Sequence, residues 1–228
     1  MKSKKKQLIL PQRDEDGNCY ISYSQISKWK KSKRSYIRQY FMGEKDDNKL
    51  LQDFGDFGHR IGEALENNNF EGFTKEEVVF LDTVPRYDEF ETEIHLQLDG
   101  VYVYGKIDTH TKPKDYGKGI HVRRMADYKT GIIEKRQPEY ESDDYWQTDI
   151  YAAYLEQKYG IAPDDVSVIL IGRDGNAFNR EELTLTGEYV NIKRYITPER
   201  LQLVKENVQK VAEEIAEYYA AYLKLNLL

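Results

Sequence analysis

The sequence predicts an α/β fold: a mixed central β-sheet, made of an antiparallel meander plus a central strand, flanked by helices. Three observations predict it. "FETEIHLQL" and "VYVYGKID" alternate apolar and polar residues on either side of Asp99-Gly100, a strong two-residue hairpin signal. "VSVILIG" is a near-continuous apolar run, the pattern of a strand covered on both faces. Around these lie long segments with apolar residues at helical spacing. The 228 residues fit one domain, 1–228, with 1–20 a flexible or extended segment and a long C-terminal helix over 197–224.

The elements follow in order. "ISYSQISKWKKSKRSYIRQYF" opens with Ser22-x-x-Gln25, a capping box, and Ile26, Trp29, Tyr36, Ile37, Tyr40 and Phe41 recur on one side. The spacing predicts one helix with a basic outer face. "FGDFGHRIGEALE" predicts a second, with Phe54, Phe57, Ile61 and Leu65 as its stripe and His59 well off it. Gly55, Gly58 and Gly62 fall between the two. Each glycine costs a helix roughly 1 kcal/mol relative to alanine, so something must approach the backbone closely there. A two-residue turn pairs Leu98 with Val101, which sets Glu93 opposite Lys106 and Glu91 opposite Asp108.

"TKPKDYGKG" reads as a loop and "IHVRRMADYKTG" as the third strand of the meander, with Asp127 and Lys129 on one face. "GIIEKRQPEYES" reads as a loop, then "DDYWQTDIYAAYLEQKYG" as a helix ended by Gly160. On it Gln147 and Tyr151, four apart, share a face. "RDGN" turns the central strand back. Thr197 and Pro198 start the long amphipathic C-terminal helix.

Composition narrows the function. No apolar run approaches a membrane span, and the short "LIL" after the basic start is too brief for a secretory signal; the expectation is a cytoplasmic protein. A single cysteine, Cys19, excludes an intramolecular disulfide and a four-cysteine zinc or iron–sulfur site. The net charge of −6 argues against a purely electrostatic nucleic-acid binder, but not against an enzyme that recruits divalent cations to carboxylates. Lys28 to Arg38 carries six basic residues and no acids, either a solvated helix face or a grip on a phosphate backbone.

"MADYKTGII" holds Asp127 and Lys129 at the two-residue repeat of a strand. By itself this is not diagnostic: Asp47–Lys49 and Glu156–Lys158 have the same spacing, and exposed pairs contribute little. Its context is informative. A helix with His59, a strand ending in Asp108, a strand with Asp127-x-Lys129 and a helix with Gln147-xxx-Tyr151 follow in that order.

With these motifs the sequence resembles the RecB-like branch of the PD-(D/E)XK nucleases, which includes the nuclease domains of RecB and AddAB and the CRISPR-associated adaptation nucleases. The matching stretches are "SYSQISKWKKSKRSYIRQYF", "FGDFGHRIGEALE", "YGKIDTH", "ADYKTG" and "QTDIYAAYL", from Ser22 to Leu155. The resemblance implies a restriction-endonuclease-like core and a magnesium- or manganese-dependent DNA nuclease, an exonuclease acting in recombination, repair or phage DNA processing. It implies that Asp108 and Asp127 are metal ligands, joined by the carbonyl of Tyr128 and by His59, and that Lys129 activates water and stabilises phosphate charge. Gln147 and Tyr151 would shape the DNA-facing side, and Lys30, Lys33, Arg34 and nearby tyrosines would grip the backbone. Relatives with four cysteines carry an iron–sulfur cluster; Cys19 alone cannot. RecB carries a helicase on the same chain, for which 228 residues leave no room.

The chemistry is sound on its own terms. Phosphodiester hydrolysis needs a nucleophile at neutral pH and charge to oppose the pentacoordinate anion, which a metal on hard oxygen ligands and a lysine can supply. The partners implied are DNA and a helicase, a single-strand annealing or a single-strand-binding protein, with no membrane. Glu91 and Glu93 either add a ligand or only repulsion; Glu93 is expected to be no more than a partner of Lys106. His95, His110 and His121 are expected at the surface or in loops. The rival reading is a catalytically inactive nuclease-fold module that binds DNA or a partner protein, and another is a purely structural subunit.

Overall fold

The computed structural model describes residues 7–44 and 49–226. Its centre is a five-stranded sheet in the order β1-β2-β5-β6-β7, with β1 Glu89–Leu98, β2 Val101–His110, β5 Arg124–Gly131, β6 Asp165–Asp174 and β7 Thr184–Arg194. Only β5 and β6 run parallel; the other neighbours are antiparallel. The fold is therefore the expected mixed sheet flanked by helices, and β6 is the doubly covered strand. Ile169 and Ile171 pack with α3 (Lys49–Asn67) and α4 (Lys75–Leu81), while Val168 and Leu170 pack with Tyr140 of α5 (Ile133–Glu141).

The hairpin forms as its sequence dictates. Gly100 takes φ 79°, and Leu98 faces Val101. Residues 8–21 fold back on themselves around a turn at Asp14–Gly17, where Arg13 and Cys19 bridge antiparallel; Leu10 and Cys19 are buried, and Ile21 bridges to Val103. Residues 1–6 and Asp47 lie outside the described residues.

Several elements differ from the sequence expectation. The basic helix is not continuous: α1 (Tyr23–Lys31) stops at Ser32, whose extended backbone and hydroxyl start α2 (Lys33–Tyr36), followed by a π-helical turn over Ile37–Phe41. Serine offers the backbone this alternative because its oxygen can cap a new turn. The break lets Trp29 and Tyr36 both be buried, edge to face at 5.1 Å. Of the capping box only one half forms. Ser22 accepts from the Gln25 N–H, but the Gln25 side chain is buried and accepts from the Tyr36 hydroxyl.

The segment 131–142, which reads as a loop, contains α5, with Pro138 inside it. Tertiary bonds outweigh the proline: Arg194 of β7 donates to the carbonyls of Tyr140, Ser142 and Tyr145 at 2.6, 3.0 and 3.0 Å. The loop at 111–119 opens a small ribbon, β3 (Lys114–Asp115) with β4 (Ile120–His121). α4 was unexpected, although Thr74 and Glu77 make a complete capping box.

α6 (Gln147–Tyr159) starts four residues later than the spacing predicts and ends at left-handed Gly160. α7 (Pro198–Asn226) is N-capped by Thr197 and packs against α1. Trp29 Nε1 donates to Glu214 at 2.8 Å, Lys33 pairs with the same carboxylate, and the Trp29 ring meets Tyr218. No described helix is long and apolar enough to cross a membrane.

Candidate active site

The site forms where β2 and β5 part. The strands pair only at Thr109–Ala126 and His110–Met125. The next step in that register sets Asp108 opposite Asp127, and there the ladder opens. The Tyr128 N–H, left without a strand partner, donates instead to Asp108 Oδ2 at 2.6 Å. The resemblance placed these two carboxylates together, and the open ladder is the reason they meet.

Asp127 is 0% exposed. Lys129 Nζ lies 2.6 Å from its Oδ2, Tyr145 Oη donates to the same oxygen at 2.9 Å, and Gln147 Nε2 donates to Oδ1 at 2.8 Å. Gln147 also donates to Tyr151 Oη at 2.8 Å. Tyr151 is 5% exposed and supports Gln147. Tyr145 was not anticipated. It precedes Gln147 by two residues in a segment that reads as helix, and nothing in its spacing marks it.

Electrostatics follow from this crowding. Burial, then the charge of Asp127, push Asp108 up to about 8, against the opposing pull of Lys129 and the Tyr128 N–H. Burial works to lower Lys129, but the two carboxylates outweigh it and hold the ammonium above its ordinary range. Burial and Asp127 raise the Tyr145 hydroxyl, so it remains a donor.

In front of Asp108 and Lys129 lies a cavity of about 370 Å³, walled by α3. His59 is exposed on α3 and borders it. So do Gly55, Gly58 and Gly62. A Cβ at Gly55 or Gly62 would meet no atom within 4 Å, and one at Gly58 only Thr130 Oγ1 at 3.8 Å. No packed protein group accounts for this bare helix side; it faces the open space of the site.

Glu91 borders the same cavity as Asp108 and holds a left-handed φ of 48°; Phe90–Thr109 and Thr92–Ile107 pair on either side, but Glu91 and Asp108 are not themselves paired. Such a backbone costs a glutamate on the order of 1–3 kcal/mol and clusters at functional sites. Glu93 does sit opposite Lys106, but the Lys106 ammonium pairs with Glu91 at 3.5 Å, and Glu93 accepts from Tyr104 Oη at 3.0 Å. His110 and His121 are buried, not at the surface: His110 bonds Thr92 and the Thr111 carbonyl, and His121 the Gly119 carbonyl. Both are satisfied structural histidines.

A second groove meets Lys129 from the side of α1. It is bordered by Ser24, Ser27, Lys28, Lys31 and Gln147. Of the basic residues singled out in the sequence, Lys30 pairs with Asp144 at 3.3 Å and lies over Trp146, and Lys33 pairs with Glu214. Arg34 is exposed on α2.

A buried carboxylate, Asp127, whose charge raises the cost of ionising half-buried Asp108, gives a pair of hard oxygen donors that suits a divalent cation in chemistry. The shell is not preassembled: among the described residues no three His, Cys, Asp or Glu side chains are gathered to hold one ion. Asp108 and Asp127 are the donors the fold brings together, and His59 and Glu91 border the cavity that Asp108 faces.

No protein-family model matches the chain, and no curated protein matches it. Among solved structures it is similar to a "putative exonuclease" of Eubacterium rectale, at 14% identity over 88% of this chain and 82% of that one, with a TM-score of 0.49.

Proposed function

We propose that this chain is a metal-dependent DNA nuclease, an exonuclease that hydrolyses phosphodiester bonds in DNA recombination, repair or phage DNA processing. The observation that carries the reading is the meeting of Asp108 and Asp127 at the opened β2–β5 ladder, with Lys129 two residues on.

Asp108 and Asp127 would hold magnesium or manganese, with the Tyr128 carbonyl and His59 as further donors. The ion, when bound, supplies Lewis acidity toward the phosphate and the attacking water. Lys129 keeps a positive charge beside the scissile phosphate. Gln147 and Tyr145 fix the carboxylate of Asp127, and the glycine wall of α3 leaves room for the strand. Water adds to phosphorus, the P–O ester bond breaks, and the departing alkoxide takes a proton. The serine- and lysine-bordered groove along α1, with Arg34, would hold the backbone on its way to Lys129.

One observation favours a second reading, a binding module without activity: the Lys129 ammonium is bound to Asp127 rather than free. End-labelled single- and double-stranded linear DNA, beside a closed circle, separates the two. Loss of the linear substrates with magnesium or manganese, abolished in Lys129→Ala and sparing the circle, is the expected result. No cleavage with either metal, alongside retained DNA binding, selects the binding module. Cleavage that survives Lys129→Ala puts the site elsewhere.

A further inference from the structure

Arg136 borders the cavity of Asp108, and Arg173 lies over the ring of Phe54, which borders it too. Arg136 of α5 borders both the cavity of Asp108 and the groove along α1, so it lies at the saddle between them, next to Lys129. Its stem lies across Gly131, at the end of β5; a Cβ there would come within 2.7 Å of Arg136 Cγ. Its guanidinium is fixed by Tyr140 Oη at 2.7 Å and Glu139 at 2.8 Å, yet the side chain is 44% exposed. Tyr140 is buried, which makes this anchor rigid.

Gly131 is the register partner of Gly172, and the residue after Gly172 is Arg173. Arg173 makes no ion pair among the described residues. Its guanidinium lies 4.2 Å from the centre of the Phe54 ring and donates to the Gly175 carbonyl at 3.3 Å. Burial, then the charge of Arg136, hold its pKa below the usual arginine range, so the two cations share one neighbourhood. Phe54 borders the catalytic cavity, and Phe178 packs on it at 5.7 Å while remaining 53% exposed. Two neighbouring cations, one of them without a carboxylate, favour an anion between them. An exposed ring at the rim of such a site offers a face for a planar group.

We propose that Arg136 and Arg173, with Phe54 and Phe178, form a nucleotide subsite beside the scissile bond, the arginines taking its phosphate and Phe178 its base. The subsite rests on the nuclease reading, and supplies the contact that would register the strand against Lys129. Both groups sit at the carboxyl ends of the parallel pair β5 and β6, where open α/β sheets bind ligands.

The test is fluorescence anisotropy with labelled twelve-base oligonucleotides, single-stranded and blunt duplex, in EDTA. One set carries a single neutral methylphosphonate moved along the strand. The variants are Arg136→Ala, Arg136→Lys, Arg173→Ala and Phe178→Ala, each checked for folding by circular dichroism. Arg136→Ala and Arg173→Ala should each weaken binding by about tenfold and lower the salt slope by about one. At one methylphosphonate position the loss should vanish, because the phosphate charge is already absent. Phe178→Ala should weaken binding about five- to hundredfold with no change in salt slope. Wild-type binding with unchanged affinity in Arg173→Ala and Phe178→Ala, whose side chains fill no core position, overturns the subsite and leaves the nuclease reading standing. No binding or cleavage by the wild type overturns both.

Discussion

Replacing Asp108 by asparagine should stabilise the metal-free protein, and the gain should depend on pH in a defined way. Burial and Asp127 push the Asp108 carboxyl up to about 8 from a reference of 3.8. The folded chain therefore keeps a proton that the unfolded chain releases between pH 4 and 8. Stability contributed by this group falls as pH rises through that window, because the folded state binds more protons than the unfolded. Each pKa unit corresponds to about 1.4 kcal/mol, so at pH 7 the ceiling is roughly 4 kcal/mol. Relaxation around the carboxylates lowers that figure, and about 2 kcal/mol is the working expectation. Asparagine carries no charge, and its carbonyl can still accept from the Tyr128 N–H. Urea unfolding in EDTA from pH 5 to 8.5 measures the difference. The Asp108→Asn variant should gain on the wild type steadily as pH rises to 8, then level off. An asparagine variant no more stable than wild type at pH 8, or a gap that does not shrink toward pH 5, would refute the argument.

The same proton links to metal. Manganese should raise the melting temperature of the wild type and leave Asp108→Asn unmoved, and its apparent affinity should fall as pH drops below 8, since binding must displace the proton; calorimetry in buffers of different ionisation enthalpy would count it. Tyr145→Phe removes a hydrogen bond to buried Asp127, at a cost of roughly 1.5–3 kcal/mol, and should slow cleavage while DNA binding in EDTA is unchanged; equal rates would discount the contact. Gly62→Ala meets no atom within 4 Å, so it should stabilise the protein by up to about 1 kcal/mol and still reduce cleavage by narrowing the cavity. A stable and fully active Gly62→Ala would show that nothing approaches α3 there.

The parts of the fold legible in the sequence are those whose signal is local. The Asp99-Gly100 turn fixes the β1–β2 register, with Leu98 on Val101 and Glu93 on Lys106, whereas the left-handed backbone of Glu91 takes it out of the ladder at the position expected to face Asp108. The apolar run of β6 needs covers on both faces wherever it sits. Asp108, Asp127 and Gln147 were legible as an ordered set of short motifs. What was not legible depends on distant partners. α5 looks like a loop because Pro138 weakens its local signal, and Arg194, more than fifty residues on, supplies the bonds that hold its C-terminal end. Tyr145 and Arg136 carry no mark in their own segments; only the folded sheet brings one to Asp127 and the other across Gly131. Lys33 reads as a free cation until α7 arrives with Glu214.

That last contact bears on the order of events during synthesis. Trp29 and Glu214 are 185 residues apart. At ribosomal rates of about 5–20 residues per second, roughly 10–40 s separate their emergence. During that interval the strands bearing Asp108, Asp127 and Lys129 can pair and α1 can meet Asp144 and Trp146, but the indole of Trp29 lacks its Glu214 acceptor and α1 its packing against α7. The groove over Lys129, which α1 walls, is thus one of the last surfaces to be completed. A nascent chain carries its carboxylates and lysine early and its substrate track late, so the proposed activity should switch on only after α7 has been made.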